Sequence, residues 1–235
     1  MEFKIDNWGL KDVLELENYL ISISNPPKSK YTQNIVRTSL PVLAIPSPKL
    51  KDISKQIFKG NYLSFLDTNT YSTYEITLIS GYIINLISDF ETLKKHLEKY
   101  VSHVDCWGSC DILKISSKID REKLFKLAKE YTKSKEPFKV RVGLKIMFSF
   151  VQDSKYKYEI FKTLNSFQNE KHYYVNMILA WLFCEMFIKN KTETYEFLKT
   201  HKLNSFVINK GIQKCRDSFR VSQIDKDNLL KYKVK

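Results

Sequence analysis

Apolar residues recur along most of this chain at helical rather than alternating spacing, and residues that start helices precede many of those runs. In WGLKDVLELENYLISI, Leu10, Val13, Leu14 and Leu20 fall close to a 3.6-residue period behind Asn7, which suits an N-cap. Pro26-Pro27 ends the connection after this helix. In SPKLKDISKQIF, Ser47 reads as a cap and Pro48 as the first helical residue, a position where the missing N–H has no intrahelical partner to lose. Ser72-Thr73-Tyr74-Glu75 has the form of a capping box, and the helix behind it puts Ile76, Ile79, Ile83 and Leu86 on one stripe. Asp89 opens the next helix with Phe90, Leu93, Leu97 and Tyr100 inward, and Asp120 opens another with Leu124, Leu127 and Tyr131 inward.

From residue 71 onward the pattern repeats as helix, short loop, helix, in units of roughly 35–40 residues, the range of two-helix solenoid repeats. Helices expected over 119–132, 136–151, 153–168 and 172–188 suit a stack of antiparallel pairs in which one layer lines a concave surface. Only 6 Gly and 6 Pro punctuate 235 residues. A β-sandwich or barrel would need turns about every 8–12 residues, so the fold class is all-α. No linker of low complexity interrupts the chain, and residues 1–235 read as a single domain, with KYKVK at the end a frayed tail.

Charge changes the picture. Lys and Arg number 39 against 26 Asp and Glu, a formal net charge of +13, which points to a polyanionic partner. A Lys-rich proteome would produce a similar balance. The lysines are spread over the whole chain and no basic cluster flanks a long apolar helix, so a membrane partner is not expected. MEFKIDNWGL lacks the basic start and apolar run of a signal peptide, and a cytoplasmic location is expected. Cys106, Cys110, Cys184 and Cys215 form no C-x-x-C pair and the four histidines are scattered. No metal and no cofactor are indicated, and the cysteines read as buried free thiols.

One constellation carries chemistry. Trp107 and Asp111 stand four residues apart in VDCWGSCDIL, Arg141 follows in KVRVGLKIMF, and Trp181 in ILAWLFCEMF. Residues i and i+4 are neighbours on a helix, so one face can carry both the indole and the carboxylate. Tryptophan at helical spacing is more often core than site. An Asp grouped with two aromatic rings and a guanidinium, however, suits positive charge developing beside a phosphate.

In their order and spacing these residues resemble the AlkD-type DNA glycosylases of the DNA alkylation repair family. KYTQNIVRTSLPVLAIPSPKLKDISKQI is similar to that family's N-terminal helix, Pro-containing loop and next helix, and VINKGIQKCRDSF to its closing helix. The resemblance spans roughly residues 28–220. It implies stacked HEAT-like repeats with a concave basic groove, acting as a monomer on double-stranded DNA that contains alkylated bases. The implied reaction is hydrolysis of the N-glycosidic bond of N3- or N7-alkylated purines without base flipping. Asp111 would be the catalytic carboxylate, Trp107 and Trp181 would pack on the deoxyribose, and Arg141 would hold a phosphate. Lys114, Lys139, Lys145, Tyr173 and Tyr174 are candidates to line the groove, with Lys171 and Lys210 further candidates for phosphate contact. Two departures stand out: Cys184 lies where the family often has Arg, and Phe138 where a Trp precedes the arginine. Two other functions fit the same pattern: a HEAT-repeat protein that binds distorted or branched DNA without chemistry, and a helical scaffold for another protein.

Overall fold

The computed structural model describes residues 2–234, and among them every regular element is helical. In chain order the α-helices are α1 Leu10–Ser22, α2 Pro26–Val36, α3 Ser47–Lys59, α4 Tyr62–Thr68, α5 Tyr74–Ile84, α6 Phe90–Val101, α7 Trp107–Asp111, α8 Arg121–Tyr131, α9 Pro137–Met147, α10 Lys157–Asn165, α11 Tyr173–Lys189, α12 Lys191–Thr200, α13 Ser205–Asp217 and α14 Gln223–Leu229. Short 3-10 turns follow α9 and α14, at Phe148–Phe150 and Leu230–Tyr232. None of the described helices is long and apolar enough to cross a membrane. Contacts gather the chain into two compact units, the first ending at Leu124 and the second beginning at Phe125.

In the first unit α5 is the central helix, packed on α3, α6 and α7. All eleven of its residues are buried, polar ones included. Ile76, Ile79 and Ile83 are buried as expected, but a helix enclosed on every side has no polar face, so their stripe is only part of what it buries. Leu86 lies beyond the helix end and is exposed. The second unit repeats the plan around α11, which packs on α9, α10, α12 and α13. Stacking of every second helix, α3 on α5 on α7 and α9 on α11 on α13, is the packing of an α-solenoid of helix pairs.

Several local expectations need correction. Gly9, not Asn7, caps α1, and its N–H is held by the Asp12 carboxylate at 2.8 Å. Val13, Leu16 and Leu20 face the core, whereas Leu10 at the helix start and Leu14, turned about 100° from Val13, are exposed. Pro26 and Pro27 end the connection after α1 as expected, and they do so by opening α2, since a helix start has no use for their N–H groups. The cap of α3 is Pro46, one residue before Ser47. Thr73 caps α5 through the Ile76 N–H at 3.2 Å, and Glu75 turns away to accept the Leu43 N–H at 2.9 Å. The last described residues are tied down: Asn209 exchanges two hydrogen bonds with the backbone of Val234, at 2.8 and 3.0 Å. The segment expected to close the fold, α13, is followed by α14, which is docked on α12 by the Asp225 carboxylate accepting from Lys191 and Tyr195.

Candidate functional site

Trp107 and Asp111 are the first and last residues of α7 and both are half-buried. Four residues at 100° each bring them back to one face, so the expected pairing holds. A helix this short has almost no stability of its own, and its neighbours hold it. The indole Nε1 donates to the Ile35 carbonyl in the last turn of α2, at 3.1 Å. Gly108 lies against Tyr74, where a Cβ would come within 2.4 Å of the phenol oxygen. Tyr100 donates to the Ser109 carbonyl at 2.9 Å. Burial pushes both phenols far above the usual tyrosine range, so Tyr100 stays a donor. Past the helix, the Asn85 amide donates to the Ile112 carbonyl at 3.0 Å and accepts from the Lys114 N–H at 2.6 Å, and Lys114 itself is exposed.

Arg141 and Trp181 belong to the second unit, on α9 and α11. Arg141 is buried, and its Nη1 donates to the Tyr174 carbonyl at 2.6 Å. One arm of the guanidinium fork is thus anchored on the first turn of α11. Two residues on, Gly143 lets α9 close on the end of α8: a Cβ there would lie 2.7 Å from the Ala128 carbonyl oxygen and 3.0 Å from the Thr132 nitrogen. Trp181 is half-buried, with its ring edge-on to Phe148 at 4.6 Å. The Lys145 ammonium lies over both rings, 4.9 Å from Trp181 and 5.1 Å from Phe148. Lys139 lies over Tyr131 at 4.8 Å. Tyr173 is exposed and meets Phe206, while Tyr174 is half-buried beside Phe138. Lys171 is exposed and Lys210 half-exposed.

Burial separates the three tryptophans. Trp8 is 2% exposed, packed on Phe65, and is core. Trp107 and Trp181 keep part of their surface open. All four cysteines are buried free thiols, as expected. Cys184 on α11 and Cys215 on α13 interact, which holds the Cys184 thiol below its ordinary value and pushes Cys215 up. That position therefore supplies no cation. Among the described residues no group of three or more His, Cys, Asp or Glu is arranged to hold a metal ion.

A family model described as "DNA alkylation repair enzyme" matches residues 16–215. The chain belongs to this family. The match runs from within α1 to within α13 and includes Trp107, Asp111, Arg141 and Trp181. Membership establishes a DNA repair enzyme with DNA as its substrate, in keeping with the resemblance and with the net charge of +13. No curated protein matches the chain in sequence. Several features that shape these side chains were missed in reading the sequence, among them the Ile35 carbonyl, Tyr74 and Phe148. Only Phe148 had a signal, a ring three residues after Lys145 on a continuing helical turn.

Proposed function

We propose that this DNA alkylation repair enzyme is a glycosylase that hydrolyses the N-glycosidic bond of N3- or N7-alkylated purines in duplex DNA, without flipping the base. The observation that carries the reading is the pairing of Trp107 and Asp111, four residues apart on one helix and both half-buried. An alkylated purine of this kind is cationic and leaves without a general acid, so a single carboxylate suffices. Bond cleavage leaves an oxocarbenium-like sugar, which Asp111 stabilises while orienting a water for attack. Trp107 and Trp181 pack on the deoxyribose, and their negative ring faces favour its positive charge. Trp181 already accepts a cation on its ring, the Lys145 ammonium at 4.9 Å, which supports this role. Arg141 is the phosphate contact, steadied by the Tyr174 carbonyl. Lys114, Lys139, Lys145, Tyr173 and Tyr174 are assigned to the DNA-facing surface of the chain.

The test is release of free base from duplexes carrying N7-methylguanine, beside duplexes carrying neutral lesions such as uracil. Release of the cationic base alone is expected. Salt-dependent DNA binding with no release of either base would instead favour a reader of distorted or branched DNA, a reading that the buried Cys184 supports by removing one expected phosphate contact.

A further inference from the structure

The entry of the short helix α7 is gripped by a loop from much earlier in the chain. Between α2 and α3, residues 37–46 form no regular element. Ile35, just before this loop, accepts the Trp107 indole N–H. Thr38 and Ser39, just inside it, converge on Asp105, two residues before Trp107. The Asp105 carboxylate accepts the Thr38 hydroxyl at 2.7 and 2.9 Å, the Ser39 N–H at 2.6 Å and the Ser39 hydroxyl at 2.6 Å. Hydrogen bonds to an ionised acceptor are short and strong, and here they converge on one side chain.

The loop is held at its far end as well. Tyr74 N–H donates to the Pro41 carbonyl at 3.0 Å, and the buried Glu75 carboxylate accepts the Leu43 N–H. Arg37 at φ 60° and Ala44 at φ 55° are left-handed without being glycine, a conformation that the surroundings must impose. A loop so fixed behaves as a rigid strut. Its contact with Asp105 runs from the exposed Ser39 to the buried Thr38, with Asp105 half-buried between them.

We propose that Asp105 is a positioning residue for the glycosylase centre, holding the strut of residues 37–45 against the entry of α7 and so setting the pose of the Trp107 indole. The proposal rests on the reading of Trp107 and Asp111 as reaction residues. Asp105 touches no substrate; it acts through Trp107.

The experiment uses the full chain labelled with 5-fluorotryptophan, whose three resonances are assigned by single substitution, together with single-turnover excision and DNA affinity. In Asp105→Ala the Trp107 resonance shifts or broadens while those of Trp8 and Trp181 stay in place. The excision rate constant falls by about ten- to a hundredfold, the scale of a misplaced reacting group, with DNA affinity held within about twofold. Asp105→Asn restores most of the rate, because its amide oxygen accepts the Ser39 N–H and its NH2 can meet the Thr38 hydroxyl. If Asp105→Ala fails to fold, Thr38→Val removes one hydroxyl donor at nearly constant shape and gives the same signature in smaller measure. A Trp107 resonance unmoved in folded Asp105→Ala overturns the proposal, as does a loss of excision that only follows loss of folded protein. Wild-type protein that excises nothing rejects the glycosylase reading instead, and the fluorine signal then still decides whether Asp105 sets the indole.

Discussion

Trp107 and Trp181 occupy helices of different kinds. The first sits at the start of a five-residue helix secured at its edges by hydrogen bonds to Ile35, Tyr100 and Asn85. The second lies in the middle of the seventeen-residue α11, the buried centre of its unit, and is held by Phe148 and Lys145. Hydrogen bonds are directional and can be removed one at a time, whereas packing spreads its effect over many atoms. The first unit's indole is therefore adjustable by single residues, and the second unit's is fixed by the core around it.

Glycine substitutions test that contrast with the largest expected effect. Gly143→Ala drives a methyl into the backbone of α8 and should destabilise by about 3 kcal/mol, even after about 1 kcal/mol of gained helix propensity. Gly108→Ala meets chiefly the phenol end of Tyr74, which can shift, and should lose only about 1 kcal/mol in urea unfolding. Equal losses would break the comparison.

Removing the rings comes next. Trp181→Ala empties a packed position and is expected to lower stability by about 2 kcal/mol, less than a fully buried indole because Trp181 is half-exposed. Trp107→Phe keeps a ring but deletes the bond to Ile35, at about 1 kcal/mol. A Trp107→Phe protein less stable than Trp181→Ala would show that α7 matters more to the core than its length suggests.

The smallest effect is in pH. Burial raises the Glu75 carboxyl above its ordinary value, against the pull of the Leu43, Ala44 and Ile45 N–H groups. The folded state holds that proton more tightly than the unfolded chain. The associated stability is present below the unfolded value and lost as pH rises through the folded one. Asp225 in the second unit runs the other way. The Ser222 hydroxyl, then Lys191 and Tyr195, lower its value, so its contribution is present above the unfolded value and lost as pH falls through the folded one. Urea midpoints across the acid range should show wild type losing ground to Glu75→Gln as pH rises, and losing its advantage over Asp225→Asn as pH falls. Parallel curves would contradict both assignments.

The sequence was most legible where structure is local. Asp89 and Asp120 cap α6 and α8 through the N–H groups of Thr92 and Lys123, because capping is decided within three residues. The helices expected over 119–132, 136–151, 153–168 and 172–188 appear as α8, α9 with its 3-10 turn, α10 and α11. The shared face of Trp107 and Asp111 follows from helical spacing alone. What depends on distant partners was hidden. Glu75 reads as half of a capping box but serves a loop thirty-two residues earlier in the chain. The full burial of α5 reflects neighbours on every side, which periodicity along one helix does not record. The family resemblance gives Arg141 a phosphate to hold, but its burial and its anchor on the Tyr174 carbonyl, thirty-three residues away, leave no mark in the sequence. Asp105 carries no motif at all, since its partners lie sixty-six and sixty-seven residues away.

The most direct test of the account is single-turnover release of 7-methylguanine from duplex DNA by wild type and by Asp111→Asn, with DNA affinity measured on the same samples. The account predicts release by wild type and a loss of about a hundred- to a thousandfold in the variant, the effect of removing one preorganised group, at nearly unchanged affinity. Equal rates in the two proteins, or no release by wild type while DNA is bound, would contradict it.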